Sequence, residues 1–130
     1  MSEQSVKILV VDDEEGILDF VQRILRFRGF ETWGTIDGVE AVRIFEQERP
    51  AIVLIDVQLN DSKIDGIEVL ERIKKIAPLT VCLMITRITE PDAIDRAKAL
   101  GAEQYLLKPL DTKELLLQVT DAVRLMATRY

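Results

Sequence analysis

The fold is decided by the stretch AIVLID at residues 51–56, in which every residue before Asp56 is apolar. A strand with one face in water alternates apolar and polar residues, whereas a strand covered on both faces is apolar throughout. The stretch is far too short to cross a bilayer as a helix. Residues 51–55 therefore predict a buried strand in a parallel sheet that is covered by helices.

The same alternation of apolar runs and helical patterns extends in both directions from this strand. The second strand is the least apolar, which places it nearer an edge of the sheet. Helical patterns follow the strands, and the fourth helix is predicted to begin near residues 89–91. The predicted strands occupy residues 6–11, 30–34, 51–55, 80–85 and 104–107.

Helix starts are marked by an Asp that stands three residues before a Glu, which fits the reciprocal capping pattern. Five strand–helix units in 130 residues predict an α/β fold, an open, doubly wound sheet of five parallel strands with right-handed crossovers. A closed eight-stranded barrel needs a much longer chain. The four capping pairs are Asp12–Glu15, Asp37–Glu40, Asp65–Glu68 and Asp111–Glu114.

Composition limits the classes of function that the chain can serve. A length of 130 residues predicts one domain, residues 1–130. The net charge of −6 and the absence of a dense basic run argue against direct binding of nucleic acid. No stretch is apolar and long enough for a membrane span, and the lone Cys82 fits a reducing cytoplasm. The chain has no histidine, so any histidine in its chemistry must come from a partner.

Polar residues follow the predicted strands where a ligand is expected. In open α/β sheets, ligands bind at the carboxyl ends of the strands. Those ends carry Asp12 and Asp13, Asp56, Thr86 and Lys108. Two carboxylates about 4 Å apart repel by roughly 4 kcal/mol at an effective dielectric of about 20, so a cation is needed among them. Oxygen ligands without His or Cys select Mg²⁺, Mn²⁺ or Ca²⁺, and an open edge best suits Mg²⁺, which keeps several of its waters.

A carboxylate can also act as a nucleophile and form an aspartyl-phosphate. Phosphoryl transfer depends mainly on positioning and charge neutralisation. Lys108 is suited to pair with one phosphoryl oxygen, and Thr86 to donate a hydrogen bond to another. The residues thus indicate phosphoryl chemistry at Asp56.

Five features stand in the order found in a known family: the run at residues 8–14, Asp56, Asp65-Gly66, Thr86 and Lys108-Pro109. Together they resemble the receiver domains of response regulators, over essentially the whole chain. The resemblance implies the flavodoxin-like strand order 2-1-3-4-5. It also implies a switch that a histidine kinase or phosphotransfer protein phosphorylates, and that is not an enzyme beyond its own phosphorylation and dephosphorylation.

The resemblance also implies a role for each site residue. The phosphoacceptor is Asp56, and Thr86 and Lys108 sense the phosphoryl group. Tyr105 occupies the position of an aromatic switch, and the face formed by helix four, strand five and helix five meets a downstream protein. The expected Mg²⁺ ligands are Asp12, Asp13, Asp56 and the backbone carbonyl of Gln58.

Three departures from the family pattern concern the surroundings of Asp56. Leu59-Asn60 replaces the usual Met-Pro. Asp65-Gly66 lies about two residues later than usual, which predicts a longer loop at residues 60–64 whose polar residues 60–63 are exposed. Arg87 stands where the family has a small residue. It is expected to obstruct small phosphodonors or the hydrolytic water, or to add a second cation to the phosphoryl site.

Other readings remain open for individual residues and for the whole chain. Taken alone, Asp12 is a helix cap, Lys108 a surface lysine and Tyr105 ordinary packing. A phosphorylation-independent interaction module, a pseudo-receiver, is the main alternative function. A flavin carrier is disfavoured because the acidic run at residues 12–15 would repel the FMN phosphate. A P-loop enzyme lacks its Gly-rich loop, and an Asp-dependent phosphatase lacks a substrate pocket or lid.

Overall fold

The computed structural model describes residues 5–87 and 91–130, in which strands and helices alternate as predicted. None of the helices in these residues is long and apolar enough to cross a membrane. The elements are β1 (Lys7–Val11), α1 (Glu15–Phe27), β2 (Glu31–Thr35), α2 (Gly38–Glu48), β3 (Ile52–Asp56), α3 (Gly66–Ile76), β4 (Val81–Thr86), α4 (Pro91–Ala99), β5 (Gln104–Leu107) and α5 (Thr112–Arg129).

The strands form one parallel sheet in the order β2-β1-β3-β4-β5. This order confirms the predicted doubly wound, flavodoxin-like topology, with β2 at one edge. Strand order reverses between β1 and β3, and Val11 pairs there with Ile55. The residues that follow β1 and end β3 therefore lie side by side at the carboxyl edge of the sheet.

Each face of the sheet is covered by its own set of helices. Along β3, Ile52 and Leu54 pack against α1 and α5, whereas Val53 and Ile55 pack against α2, α3 and α4. All four side chains are fully buried, which explains why the strand shows no polar alternation. Cys82 is part of the second of these layers, and burial raises the pKa of its thiol to about 12, so it serves as packing.

The first four strands begin one residue later than predicted, and the second, third and fourth also end one residue later. Asp56 and Thr86 are consequently the last residues of β3 and β4 and do not follow them. The backbone explains the shift, because Asp56 pairs with Ile85 and Thr86 pairs with Leu107 in the parallel ladder. Polar side chains at these positions did not end the pairing.

Three of the four predicted caps form, and the first does not. The N-cap of α1 is Glu14, whose side chain makes no cap hydrogen bond. The Asp12–Glu15 prediction was wrong because Asp12 accepts a hydrogen bond from the nearer Glu14 N–H, at 2.8 Å. At the other three starts the Asp side chain accepts from the backbone N–H three residues later, and these caps are Asp37, Asp65 and Asp111.

The fourth helix begins, in the described residues, at Pro91. The prediction of a start near residues 89–91 falls partly on residues 88–90, which lie outside the described residues.

Candidate functional site

The carboxyl edge of the sheet gathers four acidic side chains. Asp12 follows β1, and Asp56 ends the neighbouring β3, so the topology places both at the point where strand order reverses. Asp13 and Glu14 continue the chain from Asp12. Ligand oxygens from all four carboxylates lie within 4.8 Å of one another. We call these four residues together with Lys108 the carboxyl-end cluster.

Lys108, which follows β5, reaches across two strands into the cluster. Its ammonium donates to Asp56 Oδ2 at 2.7 Å, to Glu14 Oε1 at 2.7 Å and, more weakly, to Asp12 Oδ1 at 3.4 Å. The side chain is only 2% exposed. Burial alone would lower the pKa of Lys108, but its bonds to Asp56 and Glu14 raise the pKa above the usual value. Lys108 therefore stays charged.

Asp56 is held from two sides and is nearly closed to solvent. Its Oδ1 accepts a hydrogen bond from Gln58 N at 3.1 Å, and its Oδ2 accepts from Lys108. The pKa of Asp56 is raised to about 6, because burial and the charge of Asp12 raise it by more than Lys108 and the Gln58 N–H lower it. The protein thus keeps an aspartate at this position with too little compensating positive charge.

One oxygen of the buried Asp12 carboxylate has no hydrogen-bond donor in the described structure. The residue is fully buried, and burial raises the pKa of its carboxyl group. Its Oδ2 accepts no hydrogen bond in the described structure, although Lys108 Nζ lies 3.2 Å away. A buried carboxylate oxygen without a partner is costly. Together with the all-oxygen donor set of Asp13 and Asp56, this oxygen fits Mg²⁺.

The loop after β3 borders the cluster and is fastened to it. Asn60 N donates to Asp13 Oδ2 at 2.9 Å. Ser62 Oγ donates to the Ile64 carbonyl at 2.7 Å and accepts from the first backbone N–H of α2 at 2.9 Å. Asn60, Asp61 and Lys63 are exposed as expected, but Ser62 is half-buried. The longer loop is therefore an ordered wall of the site, a role that its polar sequence did not indicate.

Gly66 allows α3 to begin directly beneath Asp56. Its N–H donates to the Val57 carbonyl at 2.9 Å. A Cβ atom at this position would lie 1.9 Å from the backbone oxygen of Asp56, which no side chain can tolerate. The start of α3 is thus a close approach to the Asp56 backbone that only glycine permits.

Thr86 and Tyr105 make no side-chain hydrogen bond to the cluster within the described residues. The buried Thr86 hydroxyl donates to the Arg87 carbonyl at 3.3 Å. Tyr105 is half-buried on β5, donates its hydroxyl to the Ala102 carbonyl at 3.1 Å, and has the Lys98 ammonium 5.8 Å from its ring centroid. Gln58 is exposed and contributes its backbone N–H to Asp56.

Arg87 reaches the cluster through Glu14, a residue to which the sequence assigned no role. Arg87 Nη2 donates to Glu14 Oε1 at 2.7 Å, and the same oxygen accepts from Lys108. These bonds lower the pKa of Glu14, with that from Lys108 the larger cause. The one sequence signal for Glu14 is its place as the third residue of the acidic run after β1.

Comparison with known proteins identifies a family whose model matches this chain. The model of the response regulator receiver domain family matches residues 8–120. A curated relative, sporulation initiation phosphotransferase F of Bacillus subtilis, is 36% identical over 118 residues, which cover 91% of this chain and 90% of that protein.

Solved structures agree with this match. A CheY-like receiver domain protein from Methanospirillum hungatei superposes with a TM-score of 0.91 at 28% identity, over 98% of this chain and 100% of that one. NtrX from Brucella abortus superposes with a TM-score of 0.91 at 31% identity, over 97% of this chain. The match covers 28% of the NtrX chain, so the present chain corresponds to one part of that longer protein.

Proposed function

Since the chain belongs to the response regulator receiver domain family, which serves two-component phosphorelay signalling, we propose that Asp56 is its phosphoacceptor. A histidine kinase or a histidine phosphotransfer protein is the donor, and the phosphorylated chain binds a downstream protein. One observation carries the proposal: Asp56 is a buried carboxylate that bonds Lys108 within a cluster of excess negative charge. The activity is confined to the chain's own phosphorylation and dephosphorylation.

The transfer step needs an ionised Asp56. A carboxylate oxygen of Asp56 attacks the phosphorus of the donor's phosphohistidine, so an O–P bond forms and the P–N bond breaks. The electron pair of the broken bond returns to the donor's imidazole nitrogen. Lys108 favours the ionised carboxylate before transfer and can pair with a phosphoryl oxygen afterwards. In hydrolysis, water attacks the phosphorus and the bond between phosphorus and the Asp56 oxygen breaks. The Asp56 carboxylate leaves with the electron pair of that bond, and the proton of the water stays with the released inorganic phosphate.

Asp12, Asp13, Asp56 and the backbone carbonyl of Gln58 would hold Mg²⁺. When bound, the ion neutralises charge on the phosphoryl oxygens. The support from this chain is the unpartnered Oδ2 of Asp12 and the orientation of Asp13 by Asn60 N. Both keep carboxylate oxygens available at the cluster.

The signal is carried from the cluster to the surface by Thr86 and Tyr105. A phosphoryl oxygen would draw the Thr86 hydroxyl away from the Arg87 carbonyl, and Tyr105 would turn inward into the space that opens. Such a charge change biases an equilibrium that already exists between two states. The face of α4, β5 and α5 suits a protein partner, because Leu107 is 51% exposed beside a cavity of about 320 Å³ that Tyr105 and Pro109 help to line.

Residues 1–130 would act as one receiver domain in the cytoplasm. A buried thiol at Cys82 suits a reducing compartment. The net charge of −6 favours a protein target over direct contact with nucleic acid or membrane.

Arg87 is proposed to slow access to Asp56. Its guanidinium bonds Glu14 at the mouth of the cluster and would hinder a small donor or the hydrolytic water. Phosphorylation and dephosphorylation rates of the wild type and of Arg87→Ala test this, and unchanged rates would remove Arg87 from the account.

The alternative is a pseudo-receiver that binds its partner independently of phosphate. The observation in its favour is that Glu14 forms ion pairs with both Lys108 and Arg87, the two cations expected to pair with a phosphoryl group on Asp56. A Mg²⁺ titration separates the two functions. A switch binds the ion through Asp12 and Asp13, whereas a module whose site is inactive binds it poorly.

The acceptor itself is identified by chemical trapping. The chain is phosphorylated by a phosphorylated histidine protein with Mg²⁺ and then reduced with borohydride, which converts an aspartyl phosphate into homoserine. Peptide mass spectrometry is expected to find homoserine at position 56. Homoserine at position 12 or 13 would contradict the assignment.

A further inference from the structure

Lys108 has no donor to spare for a phosphoryl group. An ammonium carries three N–H bonds. In the present structure its carboxylate neighbours number three as well: Asp56, Glu14 and Asp12. A phosphoryl group on Asp56 would bring three more oxygens to the same place. At least one existing partner must therefore let go of Lys108 before Lys108 can pair with the phosphoryl group.

Glu14 is the partner that is free to leave. Asp12 and Asp56 are buried, and each is held by a backbone N–H two residues further along the chain. Glu14 has a longer side chain, 44% of which is exposed. The Glu14 carboxylate can move into water at little cost in free energy because it is already partly exposed. Moving either aspartate would require the strand ends to shift.

Arg87 holds Glu14 in place from the opposite side. One oxygen, Glu14 Oε1, accepts from Lys108 and from Arg87 at 2.7 Å each. This oxygen connects the start of α1 with the residues that follow β4 and β5, and so the bridge passes over the carboxyl edge of the sheet. The Arg87 side chain is 52% exposed, so it too can swing away into solvent.

We infer that Glu14 and Arg87 form a latch that occupies Lys108 in the unphosphorylated chain and opens when Asp56 is phosphorylated. The inference rests on the proposed function and deepens it. Glu14 acts as an internal competitor of the phosphoryl group for Lys108, and Arg87 strengthens that competition. The latch therefore lowers the affinity of the site for a phosphoryl group and sets the balance between the two states of the switch.

The test is binding of beryllofluoride, a mimic of the phosphoryl group, measured by calorimetry at saturating Mg²⁺. Glu14→Gln is expected to bind the mimic roughly threefold to fivefold more tightly than the wild type, the range of a partly exposed ion pair. The matched control is Glu15→Gln, which makes the same charge change at the exposed first residue of α1 and should alter affinity less than twofold.

Arg87 is tested by a double-mutant cycle, because its charge can also attract the mimic directly. In the Glu14→Gln background, Arg87→Ala reports only that direct attraction. In the wild-type background it also releases Glu14. The latch predicts that Arg87→Ala is more favourable for binding in the wild type than in Glu14→Gln, by about twofold or more. Additive effects, or a Glu14→Gln protein that binds no more tightly than Glu15→Gln, would overturn the latch.

Failure of the latch is distinguishable from failure of the proposed function. If the wild type binds beryllofluoride and Asp56→Asn does not, the switch stands whatever the Glu14 result. If neither binds at saturating Mg²⁺, the proposed function fails, and the latch fails with it.

Discussion

Two clusters of charged side chains lie at opposite ends of the same sheet, one with an excess of positive charge and the other with an excess of negative charge. At the amino end, Glu103 precedes β5 and stands between two cations, Lys74 of α3 and Arg129 of α5, at 2.7 and 2.6 Å. We call these three residues the amino-end cluster. At the carboxyl end, Lys108 faces three carboxylates, one of which, Glu14, is also bonded by the exposed Arg87.

The amino-end cluster is fully satisfied. Glu103 Oε1 accepts from the backbone N–H of Cys82 at 2.9 Å, and Oε2 accepts from both cations. Lys74 also donates to the Thr80 carbonyl at 2.7 Å, and Arg129 donates to the Leu79 carbonyl at 3.2 Å. Such a network ties two helices to the sheet and leaves nothing for a ligand to add.

The carboxyl-end cluster is left unsatisfied in the same fold. Asp12 keeps an oxygen without a hydrogen bond, and burial raises the pKa of Asp56 to about 6. The two clusters therefore show that this fold shields charged groups from solvent with two different consequences. Where every carboxylate oxygen has a hydrogen-bond donor, the cluster stabilises the fold, and where one oxygen lacks a donor, the cluster costs stability and is suited to bind a cation.

The largest effect is expected from breaking the amino-end cluster. Glu103→Ala leaves two mostly buried cations without their carboxylate and should lower the free energy of unfolding by about 3 kcal/mol. Urea denaturation measures the change. The control is Glu71→Ala, which removes a surface pair with Lys75 at 3.8 Å and should cost less than about 0.5 kcal/mol. A Glu103→Ala protein as stable as that control would show that the network contributes nothing.

The next effect concerns the close contact between Gly66 and the backbone of Asp56. Gly66→Ala would place a Cβ against the Asp56 carbonyl and should destabilise the protein by about 2 kcal/mol through forced backbone movement. Phosphorylation of the remaining folded protein should slow as well. Gly16→Ala is the control, since nothing lies within 4 Å of its added Cβ and alanine favours the helix. Equal effects of the two substitutions on thermal unfolding would contradict the close approach.

The carboxyl-end cluster should respond with the opposite sign. In Mg²⁺-free buffer, Asp56→Asn removes a destabilising charge and should raise the free energy of unfolding by between about 1 and 2 kcal/mol at pH 7.5. The pKa of Asp56 is raised from 3.8 to about 6, so its ionisation disfavours the folded state. The difference between the two proteins should therefore grow as the pH rises from about 4 to about 6 and stay constant above. Destabilisation by Asp56→Asn would contradict the imbalance.

The smallest effect is the response to Mg²⁺ itself. At about four times its Kd, the ion should stabilise the wild type by about 1 kcal/mol, because it binds only the folded site. The rise in thermal midpoint should vanish in Asp12→Asn and persist in Glu71→Ala. A rise of equal size in Asp12→Asn would place the ion elsewhere.

The fold could be predicted because the pattern of apolar and polar residues along a strand indicates how far its two faces are buried. The AIVLID stretch is apolar on both faces since helices cover both, and its position at the centre of the sheet follows. The meeting of Asp12, Asp56 and Lys108 was also predictable, because a parallel sheet brings the carboxyl ends of its strands to one edge. The roles of Thr86 and Tyr105 stay predictions, because their hydrogen bonds go to the carbonyls of Arg87 and Ala102.

Contacts between residues that lie far apart in the chain could not be predicted from the sequence. Glu14 meets Lys108 and Arg87 across 94 and 73 positions of the chain, and no local pattern marks such a pair. The amino-end cluster was missed for the same reason. The Asp12 cap failed because tertiary contacts outweighed a local motif, as Asp12 turns to the cluster and leaves the helix to begin after Glu14.

The mass of the intact protein after phosphorylation tests whether Asp56 is the phosphoacceptor. Wild type and Asp56→Asn are incubated with Mg²⁺ and either acetyl phosphate or a phosphorylated histidine protein. A gain of one phosphoryl mass is expected for the wild type alone, and the histidine donor should be the more effective one if Arg87 hinders small donors as proposed. No gain with either donor, or an equal gain by Asp56→Asn, would contradict the assignment of Asp56 and favour the phosphorylation-independent module.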